Sequence, residues 1–259
     1  MSLLQSILMG IIQGATEFLP VSSSGHLALF KIIFNVNTET GLLFDTMLHL
    51  GTLVAVCIVY WKDVCNLFVA AFQLLFDIIA NFKTWISNKK NGEYTAYRRL
   101  INSAYKKFVV LILITTIPTG IMGVAFSSLI ERASQTLLVP GICLVITAIL
   151  LLISDTRPSG HKKVKKTTYA NAAVIGVAQG FATFPGLSRS GTTITACLML
   201  GFDRAYAVKY SFLISLPAIL GANILELRHF DAAAVAGGSI AYYFIGMIVA
   251  GVVGYICIK

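Results

Sequence analysis

Charged residues are scarce in this sequence, and those with negative charge are the scarcer kind. Asp, Glu, Lys and Arg make up 12% of the 259 residues, with 11 Asp and Glu against 20 Lys and Arg. An ordinary soluble domain has about twice that charged share, roughly 25%. The mean hydropathy is +0.82. This composition excludes an ordinary soluble domain and predicts an integral membrane protein.

Patterns of metal ligands are missing as well. The five cysteines show no C-x-x-C spacing and lie mostly in or beside apolar runs, where cysteine behaves as a small buried hydrophobic residue. Neither H-E-x-x-H nor a paired Cys/His spacing occurs in the chain. The sequence therefore does not indicate a structural metal site.

Long apolar runs dominate what is present. Each is near the roughly 20 residues that a helix needs to cross the hydrocarbon core of a bilayer. They lack the two-residue alternation of a barrel strand, so helices are the expected way to satisfy their backbone in lipid. The sequence predicts an all-α, polytopic transmembrane helical bundle, with runs at residues 41–60, 64–82, 108–126, 136–154, 205–224 and 237–258.

The basic residues are concentrated in two polar connections. Seven lie within residues 83–107 and five within residues 157–166, which together hold 12 of the 20 Lys and Arg. The positive-inside rule predicts that both connections are cytoplasmic, and residues 127–135, between the two intervening spans, then face outward. Because topology already explains the positive charge, nucleic-acid binding is not predicted.

Two polar segments interrupt the apolar sequence and resemble each other. They are QGATEFLPVSSSGHL at residues 13–27 and QGFATFPGLSRSGTT at residues 179–193. This similarity predicts an internal repeat, with repeat one at about 1–82, repeat two at about 167–259 and central spans at 108–154. A shift of 166 residues pairs seven identical residues over seventeen positions: Gly10 with Gly176, Gln13 with Gln179, Gly14 with Gly180, Phe18 with Phe184, Ser22 with Ser188, Ser24 with Ser190, and Gly25 with Gly191.

Both segments have the composition of a broken or re-entrant helix. Pro20 in the first segment, and a Pro-Gly pair in the second, stop a helix. The following SSSG and SRSG can cap a new helix whose N-terminal N–H groups would face an anion. Serine and glycine also allow close helix packing in lipid, which is the structural alternative. Glu17, His26 and Arg189 favour an anionic site, because ionisable groups at membrane depth are costly and usually functional.

The segments EFLPVSSSGHL and PGLSRSGTT closely resemble the signatures of the undecaprenyl-diphosphate phosphatases of the bacitracin-resistance type. The resemblance implies removal of the terminal phosphate from a C55 polyprenyl diphosphate, which regenerates the lipid carrier of cell-wall peptidoglycan synthesis. It also implies a multi-pass protein of the bacterial cytoplasmic membrane whose site opens to the outer face, among membrane lipids. Some members of the family have a glutamate where this chain has Gln13, which leaves Glu17 as the acidic residue of the motif.

Chemistry assigns roles to the residues of the two motifs. Arg189 offers a planar fork of donors to phosphate oxygens. Glu17 can orient or deprotonate a nucleophile, or hold a divalent cation such as Mg²⁺ or Ca²⁺ against the diphosphate. The resemblance makes Ser23 the nucleophile, with direct attack by water as the alternative, and His26 can shuttle protons. Further substrate contacts are predicted from Gln13, Ser22, Ser24, Ser188, Ser190 and Thr193.

The sequence leaves two alternatives for the position of two further polar residues, and it allows a second function. Asp45 and His49 either line the pocket or lie at a helix end in the membrane interface. A polyprenyl-phosphate or anion transporter, or a lipid flippase, could use the same broken repeat. The difference between the repeats favours an enzyme, because the first carries Glu17 and His26 while the second carries Arg189.

Overall fold

The structure is a computed structural model that describes residues 1–34, 36, 41–92, 94–134, 136–227 and 239–259. Across these ranges the chain forms helices and no strand, apart from an isolated bridge between Lys162 and Phe202. The predicted all-α fold is therefore confirmed. The helices are α1 (Leu3–Phe18), α2 (Ser23–Ile33), α3 (Gly41–Val59), α4 (Trp61–Asn91), α5 (Ala104–Ala125), α6 (Ser127–Ser134), α7 (Leu138–Thr156), α8 (Tyr169–Phe181), α9 (Arg189–Met199), α10 (Arg204–Leu227) and α11 (Ser239–Ile258), with a 3₁₀ turn at Val164–Lys166.

Five of the described helices are long and apolar enough to cross a membrane. They are α4, α5, α7, α10 and α11, and the apolar part of α3, Leu43–Val59, is slightly shorter. The six predicted apolar runs thus all fall on helices, although the last run begins at residue 237, which lies outside the described residues. The prediction of a multi-pass helical bundle is confirmed.

The two polar segments each join a pair of short helices. The first pair is α1 with 16 residues and α2 with 11, and the second is α8 with 13 and α9 with 11. None of these four helices reaches the roughly 20 residues of a full crossing. The Ser22 hydroxyl accepts from Gly25 N at 3.3 Å, and the Ser188 hydroxyl accepts from Gly191 N at 3.0 Å. Both breaks therefore end in the same serine cap of a new helix.

Glycines set how the first short helix of each pair packs. A Cβ on Gly10 would lie 2.6 Å from the Gly246 oxygen, and one on Gly14 would lie 2.7 Å from the Ala250 oxygen. From the first contact to the second, the residue numbers rise by four in both helices. Helix α1 therefore packs closely on α11 and runs parallel to it.

The second pair repeats this packing on a different helix. Gly176 of α8 packs against Thr115 and Pro118 of α5, and Gly180, one turn further along α8, packs against Met122, one turn beyond Pro118. Thr115 Oγ1 also donates to the Ala172 oxygen at 3.1 Å. Helix α8 therefore runs parallel to α5, as α1 does to α11.

Candidate active site

The breaks of the two helix pairs meet at a cavity of about 660 Å³. Two walls of this site cavity come from residues 116–124, in the C-terminal half of α5, and from residues 217–225 of α10. Helix α3 contributes Asp45 and His49, so the first of the two alternatives for these residues is the one observed. Seven of the ten predicted site residues line the site cavity: Glu17, Ser22, Ser23, Ser24, Ser188, Arg189 and Ser190.

Glu17 links the two broken helices. Its side chain is 5% exposed, and its Oε1 accepts from Arg189 Nη2 across 172 positions of sequence. Its Oε2 accepts from Ser23 Oγ at 2.5 Å and from Gln13 Nε2 at 3.1 Å. A buried carboxylate is tolerated when a charge and further donors satisfy it, and removing one partner is strongly destabilising. This carboxylate is therefore the centre of the site.

Ser23 is held as a hydroxyl bound to a base. It is the first residue of α2 and follows Ser22, whose φ of 69° is in the left-handed region that residues other than glycine rarely adopt. The turn at Ser22 brings the Ser23 hydroxyl to Glu17 and to the N-terminus of α2. A hydroxyl within hydrogen-bond reach of a carboxylate has the geometry of an activated nucleophile.

Arg189 occupies the equivalent position in the second pair, as the first residue of α9. Its side chain is 24% exposed and lines the site cavity while it binds Glu17. Helices α2 and α9 therefore both begin at the site cavity, and their positive N-terminal ends add to the guanidinium charge. Together these groups form a site suited to an anion.

Three predicted site residues do not line the site cavity. Gln13 lies beside Glu17, and its Nε2 is also 2.9 Å from His49 Nδ1. Thr193 Oγ1 donates to the Arg189 carbonyl at 2.8 Å and lies 2.6 Å from Ser211 Oγ. His26 Nδ1 is 2.8 Å from the Ser22 carbonyl. These side chains hold the site residues in place, and the proton-shuttling role of His26 stays a prediction.

The walls from α5 and α10, and the support that α7 gives to the second break, were not predicted from the sequence. The α5 wall comprises Thr116, Thr119, Gly120, Gly123 and Val124. On α7, the Thr147 hydroxyl accepts from Ser188 N at 2.9 Å and donates to the Gly186 oxygen at 3.1 Å, which fixes the second break. The signal for these residues is weak, since small and hydroxyl side chains within apolar runs are equally typical of ordinary helix packing in membranes.

A resident divalent cation does not fit Glu17 in this arrangement. No group of three or more His, Cys, Asp or Glu able to hold a metal ion occurs among the described residues. Both Glu17 oxygens are engaged, by Arg189 on one side and by Ser23 and Gln13 on the other. Mg²⁺ and Ca²⁺ need several oxygen ligands. A cation that Glu17 holds against the bound diphosphate stays a prediction, and no step of the proposed mechanism runs through a metal.

Fold and site together define a multi-pass membrane protein with an anion site that carries the groups for phosphoryl transfer. The model of a family described as "Bacitracin resistance protein BacA" matches residues 6–259. The chain belongs to this family.

Several curated relatives of similar length carry the same name. An "Undecaprenyl-diphosphatase" of Methanosphaera stadtmanae is 40% identical over 259 residues, which cover 100% of this chain and 88% of the relative. Proteins of the same name from Halothermothrix orenii and Carboxydothermus hydrogenoformans are 37% and 36% identical, and they are covered over 88% and 87% of their lengths. The similarity thus extends over the whole chain.

Proposed function

We propose that this protein hydrolyses the terminal phosphate of undecaprenyl diphosphate to give undecaprenyl phosphate and inorganic phosphate. This reaction recycles the lipid carrier of peptidoglycan synthesis. The observation that carries the proposal is the Ser23 hydroxyl, 2.5 Å from the Glu17 carboxylate whose other oxygen binds Arg189. The names of the relatives support the same activity.

Binding of the diphosphate prepares the site for reaction. The terminal phosphoryl group enters between the N-termini of α2 and α9. Its oxygens then replace Glu17 as the hydrogen-bond acceptors of Arg189. Arg189 has a flat fork that can donate two parallel hydrogen bonds to a phosphate. Glu17 thereby loses a cationic partner and becomes a stronger base next to Ser23. The serines around the break, Ser22, Ser188 and Ser190, add hydroxyl donors.

Chemistry then proceeds in two displacements. Ser23 Oγ attacks the terminal phosphorus while its proton passes to Glu17, and the bond from phosphorus to the bridging oxygen breaks. The polyprenyl monophosphate leaves with the electron pair of that bond. Glu17 gives the proton from Ser23 to the departing monophosphate oxygen and is again a carboxylate. It then takes a proton from the water molecule that attacks the phosphoserine, and it returns this proton to Ser23 Oγ as the bond from phosphorus to Oγ breaks, which releases inorganic phosphate. Arg189 stabilises the phosphoryl charge in both steps.

The lipid tail leaves the site cavity between α5 and α10. Val124 of α5 and Ile224 of α10 both line the site cavity and are 64% and 56% exposed. Accessible apolar side chains at the border of the cavity suit a lateral opening to lipid between the two helices. The polyprenyl chain can therefore stay in lipid while its diphosphate reaches Arg189.

Release of inorganic phosphate separates this enzyme from a transporter or flippase. Purified protein in detergent, supplied with polyprenyl diphosphate, is expected to release phosphate and polyprenyl monophosphate in equal amounts. A transporter would release none. The hydroxyl–carboxylate contact favours the enzyme, because transport of an anion does not require a base beside a nucleophile.

We also propose that the site opens to the outer side of the membrane and that the two helix pairs enter from opposite sides. Lys107 Nζ lies 2.6 Å from the Lys165 oxygen, so the two basic connections meet at one end of the bundle. The positive-inside rule makes that end cytoplasmic.

Helix α4 stays at this cytoplasmic end along its length. Asp63, in its first turn, accepts from the Tyr105 hydroxyl at 3.1 Å, while Asp77, 14 residues later, accepts from Lys106 Nζ at 2.6 Å. Two adjacent residues at the start of α5 thus reach points about 20 Å apart along α4. A helix in that position runs along the interface and does not cross. The chain then crosses in α3, α5 and α7 between the motifs, and three crossings invert the second repeat relative to the first.

Cysteine labelling tests this topology. Single cysteines at Tyr94, Ser128 and Ser159, all exposed, are introduced into a background without the five native cysteines. An impermeant thiol reagent applied to intact cells is expected to label only the cysteine at position 128. The other two should react once the membrane is permeabilised, which serves as their control. Labelling of position 94 or 159 in intact cells would contradict the proposed sidedness.

Glu17→Gln tests the proposed base. The amide keeps the size of the side chain but removes its charge and basicity, so we expect kcat/KM for phosphate release to fall about 100-fold or more. Glu131→Gln on α6, which does not line the site cavity, is the matched control. Equal amounts of monodisperse protein are compared. Near-normal turnover of Glu17→Gln would reduce this carboxylate to a packing role.

A further inference from the structure

A histidine without a role in the two proposed displacements lies beside Glu17. His49 belongs to α3, lines the site cavity and has a side chain that is 28% exposed. Its Nδ1 is 2.9 Å from Gln13 Nε2 and 3.6 Å from Glu17 Oε2. Among the described residues, His49 is the histidine that lines the site cavity beside the reacting carboxylate, whereas His26 does not line it.

The contact with Gln13 determines where the proton of His49 resides. An amide nitrogen donates hydrogen bonds and does not accept them, so His49 Nδ1 must be the acceptor. Gln13 is oriented in turn by Glu17 Oε2, which accepts from the same amide nitrogen at 3.1 Å. With Nδ1 as the acceptor, the ring N–H is on Nε2. In the described part of the chain, no group makes a hydrogen bond to that Nε2–H.

We propose that His49 is a further catalytic residue, whose Nε2–H donates to an oxygen of the diphosphate. This inference rests on the proposed function. The donor comes from α3, a different helix from those that bear Ser23 and Arg189, so it can reach a different face of the phosphate. A neutral donor adds stabilisation where charge develops without a second cation that would compete for Glu17.

Two amide substitutions separate this role from a structural one. Asparagine can place its oxygen where Nδ1 lies and so keep the acceptor for Gln13, but its amide does not extend to the position of Nε2. Glutamine is longer and can place its N–H₂ near the position of Nε2, while it lacks an atom at the Nδ1 position. His49→Asn thus keeps the contact with Gln13, and His49→Gln keeps the donor to substrate.

The experiment compares kcat/KM for phosphate release from polyprenyl diphosphate by wild type, His49→Asn, His49→Gln and His49→Leu. We expect a loss of about 10- to 100-fold in the Asn and Leu variants, as for one hydrogen bond to a charged group. We expect less than about threefold loss for His49→Gln. Cys57→Ser on the same helix does not touch the site cavity and is the control for purification and reconstitution.

The alternative outcomes are distinct. Near-normal activity of His49→Asn together with a large loss in His49→Gln would overturn the proposal and leave His49 as a partner of Gln13 alone. Near-normal activity of all three variants would overturn it too. If the wild-type protein released no phosphate, the proposed function itself would fail, and this inference with it.

Discussion

Ser23→Ala is expected to lower kcat/KM for phosphate release by at least about 10⁴-fold, the scale seen when a covalent nucleophile is removed. The reason is the position of the hydroxyl, 2.5 Å from Glu17 Oε2 at the N-terminus of α2. Without it, Glu17 can activate only a water molecule, which no covalent bond keeps beside the phosphorus. The measurement is phosphate release from equal amounts of folded protein.

Ser24→Ala is the matched control for this variant. Ser24 Oγ also lines the site cavity, but it accepts from Gly186 N at 3.2 Å and does not contact Glu17. Ser24 Oγ also lies 3.3 Å from Ser22 Oγ, and loss of these two weak hydrogen bonds is expected to lower activity about tenfold. If Ser23→Ala also lost only about tenfold, the hydroxyl would be a binding group, and direct attack by water would be the better account.

Arg189→Lys is expected to lower kcat/KM by about 10³-fold, although it keeps the positive charge. An ammonium is a point charge and cannot reproduce two parallel donors on a phosphoryl group, and an arginine that stabilises phosphoryl transfer contributes about this much or more. The lysine variant is a cleaner test than Arg189→Ala. Alanine would leave Glu17 as an unpaired buried charge and destabilise the fold.

Arg204→Lys provides the matched control for Arg189→Lys. Arg204 is likewise the first residue of its helix, α10, but its guanidinium donates to the carbonyls of Ser154 and Arg157 at 3.1 and 2.8 Å, outside the site cavity. This variant is expected to keep activity within about threefold of wild type, because no substrate group depends on its fork. An Arg189→Lys enzyme with ordinary activity would contradict the proposed clamp.

The sequence predicted the helices and both breaks, because the physical causes are local. Apolar runs of about 20 residues require helices in lipid. Pro20 and the pair Pro185–Gly186 disfavour a continuous helix and are each followed by a serine cap, whereas Pro118 and Pro217 lie inside α5 and α10. Ser22 and Ser188 are equivalent positions of the two segments, 166 residues apart, and each caps a new helix in the structure.

Long-range contacts could not be predicted in the same way. Residues 64–82 have the length and apolarity of a crossing helix, and only the contacts of Asp63 and Asp77 with the start of α5 indicate an interfacial position. The connection at residues 127–135, which the sequence predicts to face outward, contains α6, whose bounds are Ser127–Ser134, while residue 135 lies outside the described residues. Such features depend on tertiary packing, which overrides local hydrophobicity.

For the same reason, the sequence could not predict which histidine lies beside Glu17. His26 lies inside the first motif, three residues from Ser23, and the motif suggested a role for it. His49 lies within an apolar run on α3, and its contact with Gln13 joins residues 36 positions apart. Proximity to Ser23 in sequence favoured His26, whereas the fold places His49 beside Glu17.

The stereochemistry at the terminal phosphorus tests the central claim, that Ser23 takes the phosphoryl group before water does. Undecaprenyl diphosphate with a chiral, isotopically labelled terminal thiophosphate is hydrolysed by the purified enzyme in labelled water, and the configuration of the released thiophosphate is determined. Two successive in-line displacements, first by Ser23 and then by water, each invert the phosphorus. Two inversions at phosphorus give net retention of configuration, which is the expected result. Net inversion would mean a single direct attack by water and would contradict the central claim.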